Sequence, residues 1–176
     1  MDITVSQDIL RGTIVLAVAA FDAYATDCFA EKFIFYIKHK GVDSALEELL
    51  TRSGFDIKFS LELINSDRPY RKIHTIIEKY YSKYTTQRLS VIDELFLQYH
   101  ILGITKNAAN KSKKKCLLGS VQKIIERRHS IVHDGDYNEH KRIKNVSEND
   151  LKRISDLEIL VSNMDDIIEA RFARIS

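Results

Sequence analysis

The sequence predicts an all-α fold, a single helical-bundle domain of about five main helices over residues 1–176. Three observations predict it. Apolar residues make up 44% of the chain and charged residues 30%, a globular balance. One proline and six glycines leave helices almost uninterrupted, which argues against a sandwich or barrel of short strands. Every strong segment repeats its apolar residues at helical spacing. The length suits one domain with a proper core and is too short for two ordinary ones.

The first element runs from about Ser6 to His39, with Ile14, Val15, Val18, Phe21, Ala25, Phe29 and Phe33 on one face. Ser6 can cap its start and Gly41 can end it, with Lys38, His39 and Lys40 at the negative pole. A shorter helix covers Ser44 to Arg52, and a turn of helix falls near Phe59–Ile64. Pro69 stands where a first-turn proline is tolerated, and Ile73, Ile76, Ile77 and Tyr80 carry a stripe toward Tyr84. Arg88 to Leu102 reads as the next helix, with Val91, Ile92, Leu95, Phe96 and Tyr99 inward. The polar, lysine-rich span 103–115 reads as a basic loop. A helix follows from about Lys114 to Val132, closed by Asp134-Gly135-Asp136. The last helix covers roughly Asn149 to Arg174, opened by Ser147 with Asp150 three residues on, a near-capping-box.

The uncharged stretch near the start, Gly12 to Phe21, is half of what a transmembrane helix needs, so no membrane partner is expected. Asp2, Asp8 and Arg11 precede it without a small-residue cleavage site, which argues against a signal peptide. Cys28 and Cys116 match neither a disulfide framework nor a metal cluster, and a reducing cytoplasm is the simplest setting.

The net charge of +2 conceals an asymmetry. Between Lys106 and Lys144 eleven lysines and arginines face four acidic residues, a local +7 on a remainder of −5. Such a basic quarter fits either a polyanion partner or a solvated lysine-rich loop.

The penultimate helix carries an anomaly. Its inward line runs Leu117, Leu118, Val121, Ile124, Ile125, then Ile131 and Val132, and the period requires an apolar residue near position 128. Arg128 stands there, His129 lies four after Ile125 on the same seam, and His133 four after that. A buried guanidinium without a partner costs several kcal/mol, so Arg128 is expected to be paired or to face a cleft. Asp22 interrupts the first helix in the same way and is the expected orienting partner of Arg128 or His129.

The segment Arg127-Arg128-His129-Ser130-Ile131-Val132-His133-Asp134-Gly135 resembles the signature of HEPN domains, in which an arginine and a histidine have four to six residues between them. Here Arg128 is the arginine, His129 the polar follower and His133 the histidine. The first helix, Ile14-Val15-Leu16-Ala17-Val18-Ala19-Ala20-Phe21-Asp22-Ala23-Tyr24, is similar to the start of the RiboL-PSP-HEPN group. The resemblance implies a metal-independent endoribonuclease without cofactor, acting on RNA as a homodimer whose motifs face one another across a cleft. It implies catalytic roles for Arg128, His133 and His129. Many members are toxins or phage-defence effectors, which implies an antitoxin or regulatory partner. Others have lost catalysis and only bind RNA or proteins. Arg127, Asp134 and Asp22 are the expected supporting residues, and Lys113, Lys114 and Lys115 the expected RNA contacts.

The chemistry suits these residue types. Cleaving RNA without metal requires deprotonating the 2′-OH, neutralising the phosphorane and protonating the 5′-oxygen. A histidine can act as base or acid near neutral pH, and an arginine offers a rigid fork to phosphate oxygens. Residues five apart on a helix lie about 140° apart, so Arg128 and His133 do not share a face. Either the helix turns at Val132–Gly135, or a dimer supplies Arg128 from one chain and His133 from the other.

Rival readings remain. His129 and His133 at i and i+4 can both bind zinc, with a third ligand such as His100 or His140, although Ser130 stands where a metalloprotease has glutamate. Neither cysteine sits in a nucleophile's context, and there is no Gly-rich phosphate loop. Tyr70, Tyr80, Tyr81 and Tyr84 near Arg68, Arg71 and Lys72 can stack bases, though their helical spacing favours packing.

Overall fold

A computed structural model describes residues 3–83 and 88–175, so Tyr84 lies outside the described residues. Among the described residues there are eight helices: α1 (Ile3–Lys40), α2 (Ser44–Arg52), α3 (Ile57–Ile64), α4 (Pro69–Tyr81), α5 (Leu89–Leu97), α6 (Ile104–Lys111), α7 (Leu117–His133) and α8 (Glu148–Phe172). The all-α class is confirmed, and the extra helices are the short ones.

The chain gathers into two units, Met1–Ala23 with Gly103–Ile167, and Tyr24–Leu102 with Ile168–Ser176. In the first, Ile14, Val18 and Phe21 of α1, Ile104 and Ala108 of α6, Leu117, Val121, Ile124 and Ile125 of α7, and Leu157, Leu160 and Met164 of α8 are buried. In the second, aromatic rings cluster around Tyr99, which stacks on Phe29 at 4.8 Å and meets Phe172 edge-on at 5.2 Å. The Tyr99 hydroxyl donates to the Phe29 carbonyl at 2.6 Å, giving the buried phenol the partner it requires. Of the tyrosines read as possible base-stackers, Tyr81 joins this cluster edge-on to Phe29 at 4.9 Å, while Tyr70 is 45% exposed.

By length and mean hydropathy (1.4) the stretch Val5–Lys40 of α1 is also apolar enough to cross a bilayer, which the count of uncharged residues did not anticipate. The same stretch supplies buried residues to both units, among them Ile14, Val18, Phe29 and Phe33.

Three local expectations are corrected. The span 103–115 contains helix α6 rather than only a loop. Ile104, Thr105 and Ala108 bury one short face, and the Lys111 ammonium is bonded to Asp166 of α8. Lysine content signalled solvent, whereas the three buried positions decide the conformation. The helix expected from Lys114 begins at Leu117, because Lys113 and Cys116 adopt left-handed φ values of 55° and 60°. The fifth helix ends at Leu97, and His100 beyond it has φ 58°.

The predicted cap of α8 is present. The Ser147 amide and hydroxyl both donate to Asp150 Oδ2 at 2.9 Å, and the Asp150 amide donates back to Ser147 Oγ at 3.3 Å. Burial pushes the Asp150 carboxyl up, but the two Ser147 bonds and the Arg127 and Arg153 charges outweigh it. The net position is below the ordinary 3.8. The folded state thus favours the ionised form. Its stabilising contribution is present above pH 3.8 and is lost as pH falls through the lowered value. Asp150→Asn should therefore melt below wild type at pH 7, with the gap closing as pH falls below 3.8; thermal melts by circular dichroism check this.

Candidate active site

The motif occupies the C-terminal half of α7. Leu117, Val121, Ile124 and Ile125 anchor the helix, and Arg128 follows half-buried on the same stripe. The charged residue does stand at an inward-leaning position, as the period requires. His129 does not: it is exposed, and so is Val132, so the inward line ends near Arg128 rather than continuing to Val132.

The helix stays regular to its last residue. Asp134 caps it with its amide donating to Ser130 O at 3.0 Å, and only Gly135 and Asp136, at φ 67° and 57°, turn the chain away. The unwinding that would swing His133 toward Arg128 therefore does not occur before His133. On an unbroken helix the two residues are set about 140° apart. What α7 does bring together is His129 and His133, whose exposed rings lie 4.6 Å apart at 42°. Ser130 Oγ lies 3.4 Å from Asp134 Oδ2, a weak tie across the cap. Asp22 is half-buried on α1, in the same unit as α7.

The predicted supporting residue Arg127 proves to be a clamp. Its Nη1 bonds Asp136 Oδ1 at 2.5 Å, and its Nη2 donates to the carbonyls of Lys144 and Asn145 at 3.2 and 3.4 Å. Arg11 Nε of α1 approaches the other carboxylate oxygen at 3.7 Å. Asp136 is 2% exposed, held between two guanidinium groups, and its amide donates to Ser130 O at 3.0 Å. Burial raises its carboxyl above the ordinary value against the pull of Arg127, Arg11 and Lys144. Gln7 Oε1 adds a bond from the Val146 amide at 2.6 Å. The first turns of α1 thus fasten the loop that leaves His133. Neither Arg11 nor Asp136 was expected to have this role; the sequence showed Asp136 only as part of a capping turn.

The expected RNA contacts divide. Lys113 and Lys115 are exposed. Lys114 is bonded to the buried Asp156 of α8, which also accepts from Ser120 Oγ at 2.5 Å, so this lysine is structurally engaged. The only expected zinc ligands that meet are His129 and His133. His100 is paired with Asp43 at 3.2 Å, and among the described residues no three His, Cys, Asp or Glu side chains are grouped to hold a metal.

Compared with known proteins, the sequence matches the RiboL-PSP-HEPN family model over residues 2–170. The chain belongs to the RiboL-PSP-HEPN family. That match spans α1 through most of α8, so it covers both the first helix and the Arg-x4-His segment of α7. HEPN domains are all-α and are often ribonucleases. No curated protein and no solved structure shows significant similarity to the chain.

Proposed function

We propose that this HEPN domain is a metal-independent endoribonuclease that cleaves RNA by attack of the ribose 2′-OH. The observation that carries the reading is the placement of His133 on the last turn of α7, exposed to solvent and beside His129. The half-buried Arg128 lies on the same helix. An exposed imidazole can reach a sugar hydroxyl or leaving oxygen, while the guanidinium stays charged and can stabilise the phosphorane. Because α7 is unbroken through His133, we place Arg128 from one chain and His133 from a second around the same phosphodiester. His129 serves as a second proton-transfer or phosphate-binding group. Asp22 orients Arg128, and Asp134, Lys113 and Lys115 complete the polar surroundings.

The setting that suits this chemistry is a cytoplasmic toxin or phage-defence effector, working as a homodimer and restrained by an antitoxin or regulatory partner. The second reading is a non-catalytic HEPN module that binds RNA or a protein partner. It is favoured by the basic quarter of the chain and gives salt-dependent RNA binding without turnover.

Purified protein incubated with a panel of small RNAs in EDTA separates the two. The expected outcome is cleavage unaffected by the chelator, leaving 2′,3′-cyclic phosphate ends that resist a phosphatase until opened by acid. Intact RNA at every protein concentration, or products with 3′-hydroxyl ends, would remove the proposed reaction.

A further inference from the structure

The loop that leaves α7 is built to display an aromatic ring. Tyr137 follows the buried Asp136 and is 53% exposed. Its ring lies against Gly135 so closely that a Cβ on that glycine would fall 2.6 Å from Cε2, inside any real contact. Gly135 also has φ +67°, so the ring contact and the backbone conformation both favour glycine there. The Tyr137 backbone is bridged to Ile143, and Lys144 N donates to Asp136 O at 2.8 Å. The Asn138 amide donates to Arg142 O at 2.8 Å, and its side-chain Oδ1 accepts from the His140 and Arg142 amides at 2.9 Å. The turn is thus tied at both ends, and the Arg127–Asp136–Arg11 cluster fastens it to α7 and α1.

On this fixed turn, His140, Lys141, Arg142 and Lys144 are all exposed, against one acid, Glu139. None of the four makes an ion pair among the described residues. A half-exposed ring pinned against glycine and flanked by the exposed cations Lys141 and Arg142 is an arrangement by which proteins hold single-stranded nucleic acid. Bases stack on the ring and cations follow the phosphates. We propose that this turn is a nucleotide subsite, in which Tyr137 stacks on one unpaired base of single-stranded RNA and Lys141, Arg142 and Lys144 hold the adjoining phosphates. The choice of RNA rests on the ribonuclease reading, while the stacking geometry stands without it. A base held at Tyr137 would enter beside the end of α7 that carries His133. A duplex offers no exposed base face and is excluded from the stack.

The chain has no tryptophan, so Tyr137→Trp introduces a single tryptophan, which can be excited apart from the tyrosines and keeps an aromatic ring in place. In a His133→Ala background, a short mixed-sequence single-stranded oligoribonucleotide should quench this tryptophan saturably. Inorganic polyphosphate and the same sequence as a duplex should not. Tyr137→Leu should weaken single-strand binding, read by anisotropy, about tenfold or more while leaving polyphosphate binding unchanged. Lys141→Glu with Arg142→Glu should weaken both ligands. Single-strand binding with unchanged fluorescence, wild-type affinity in Tyr137→Leu, or no binding of the oligonucleotide would each overturn the subsite. Wild-type cleavage assays run in parallel distinguish the two readings. Tyr137-dependent binding without cleavage would keep the subsite and remove the ribonuclease. Cleavage indifferent to Tyr137 would do the reverse.

Discussion

His133→Ala should abolish RNA cleavage while leaving the helical content and the oligomeric state unchanged. The side chain is exposed on the last turn of α7, so its truncation removes no buried contact, and the expected stability change is within about 0.5 kcal/mol. Loss of a positioned proton-transfer group is worth roughly 10²–10⁴ in rate. Arg128→Ala should lower the rate by a comparable factor, about 10²–10³, through lost stabilisation of the phosphorane. It should also lower stability, because Arg128 is half-buried. The two variants are thus told apart by their melting curves. Near-native cleavage by purified His133→Ala would refute the catalytic assignment outright.

The second large effect is structural. Asp136→Ala should destabilise the fold by about 3–5 kcal/mol in urea unfolding, because it leaves the Arg127 guanidinium buried without its carboxylate. Arg127→Ala should cost a similar amount, with Arg11 at 3.7 Å the remaining cation beside Asp136. Replacing both with alanine should cost clearly less than the two single losses together, since neither charge is then stranded. Strict additivity would mean that the two residues do not act as a pair. This contrast separates the motif's first arginine, a clamp, from its second, the proposed catalytic group.

Local periodicity carried the reading of the long elements. The face Ile14, Val18, Phe21, Ala25, Phe29, Phe33 is buried along α1 as its spacing requires, and the Ser147–Asp150 cap forms as its residue types require. Each depends on neighbours within a few residues. Helix α6 escaped because only Ile104, Thr105 and Ala108 are buried in a lysine-rich span, and because the Lys111 charge is met by Asp166 from a distant segment. In the site, the inward lean of Arg128 followed from its phase in the apolar line. The exposure of His129 did not follow, since burial at a helix end depends on what the next segment brings. The clamp was hidden for the same reason: Arg11 and Asp136 come from segments far apart in the chain, and no pattern in one segment announces a partner in another.

In the proposed function, with α7 unbroken through His133, the active site is a property of two chains. Mixing inactive Arg128→Ala with inactive His133→Ala protein tests this directly. Random exchange of subunits produces mixed dimers in which one of the two composite sites recovers both groups, so cleavage should return to about a quarter of the wild-type rate. A mixture that exchanges subunits yet stays as inactive as its components, beside an active wild type, would contradict the account.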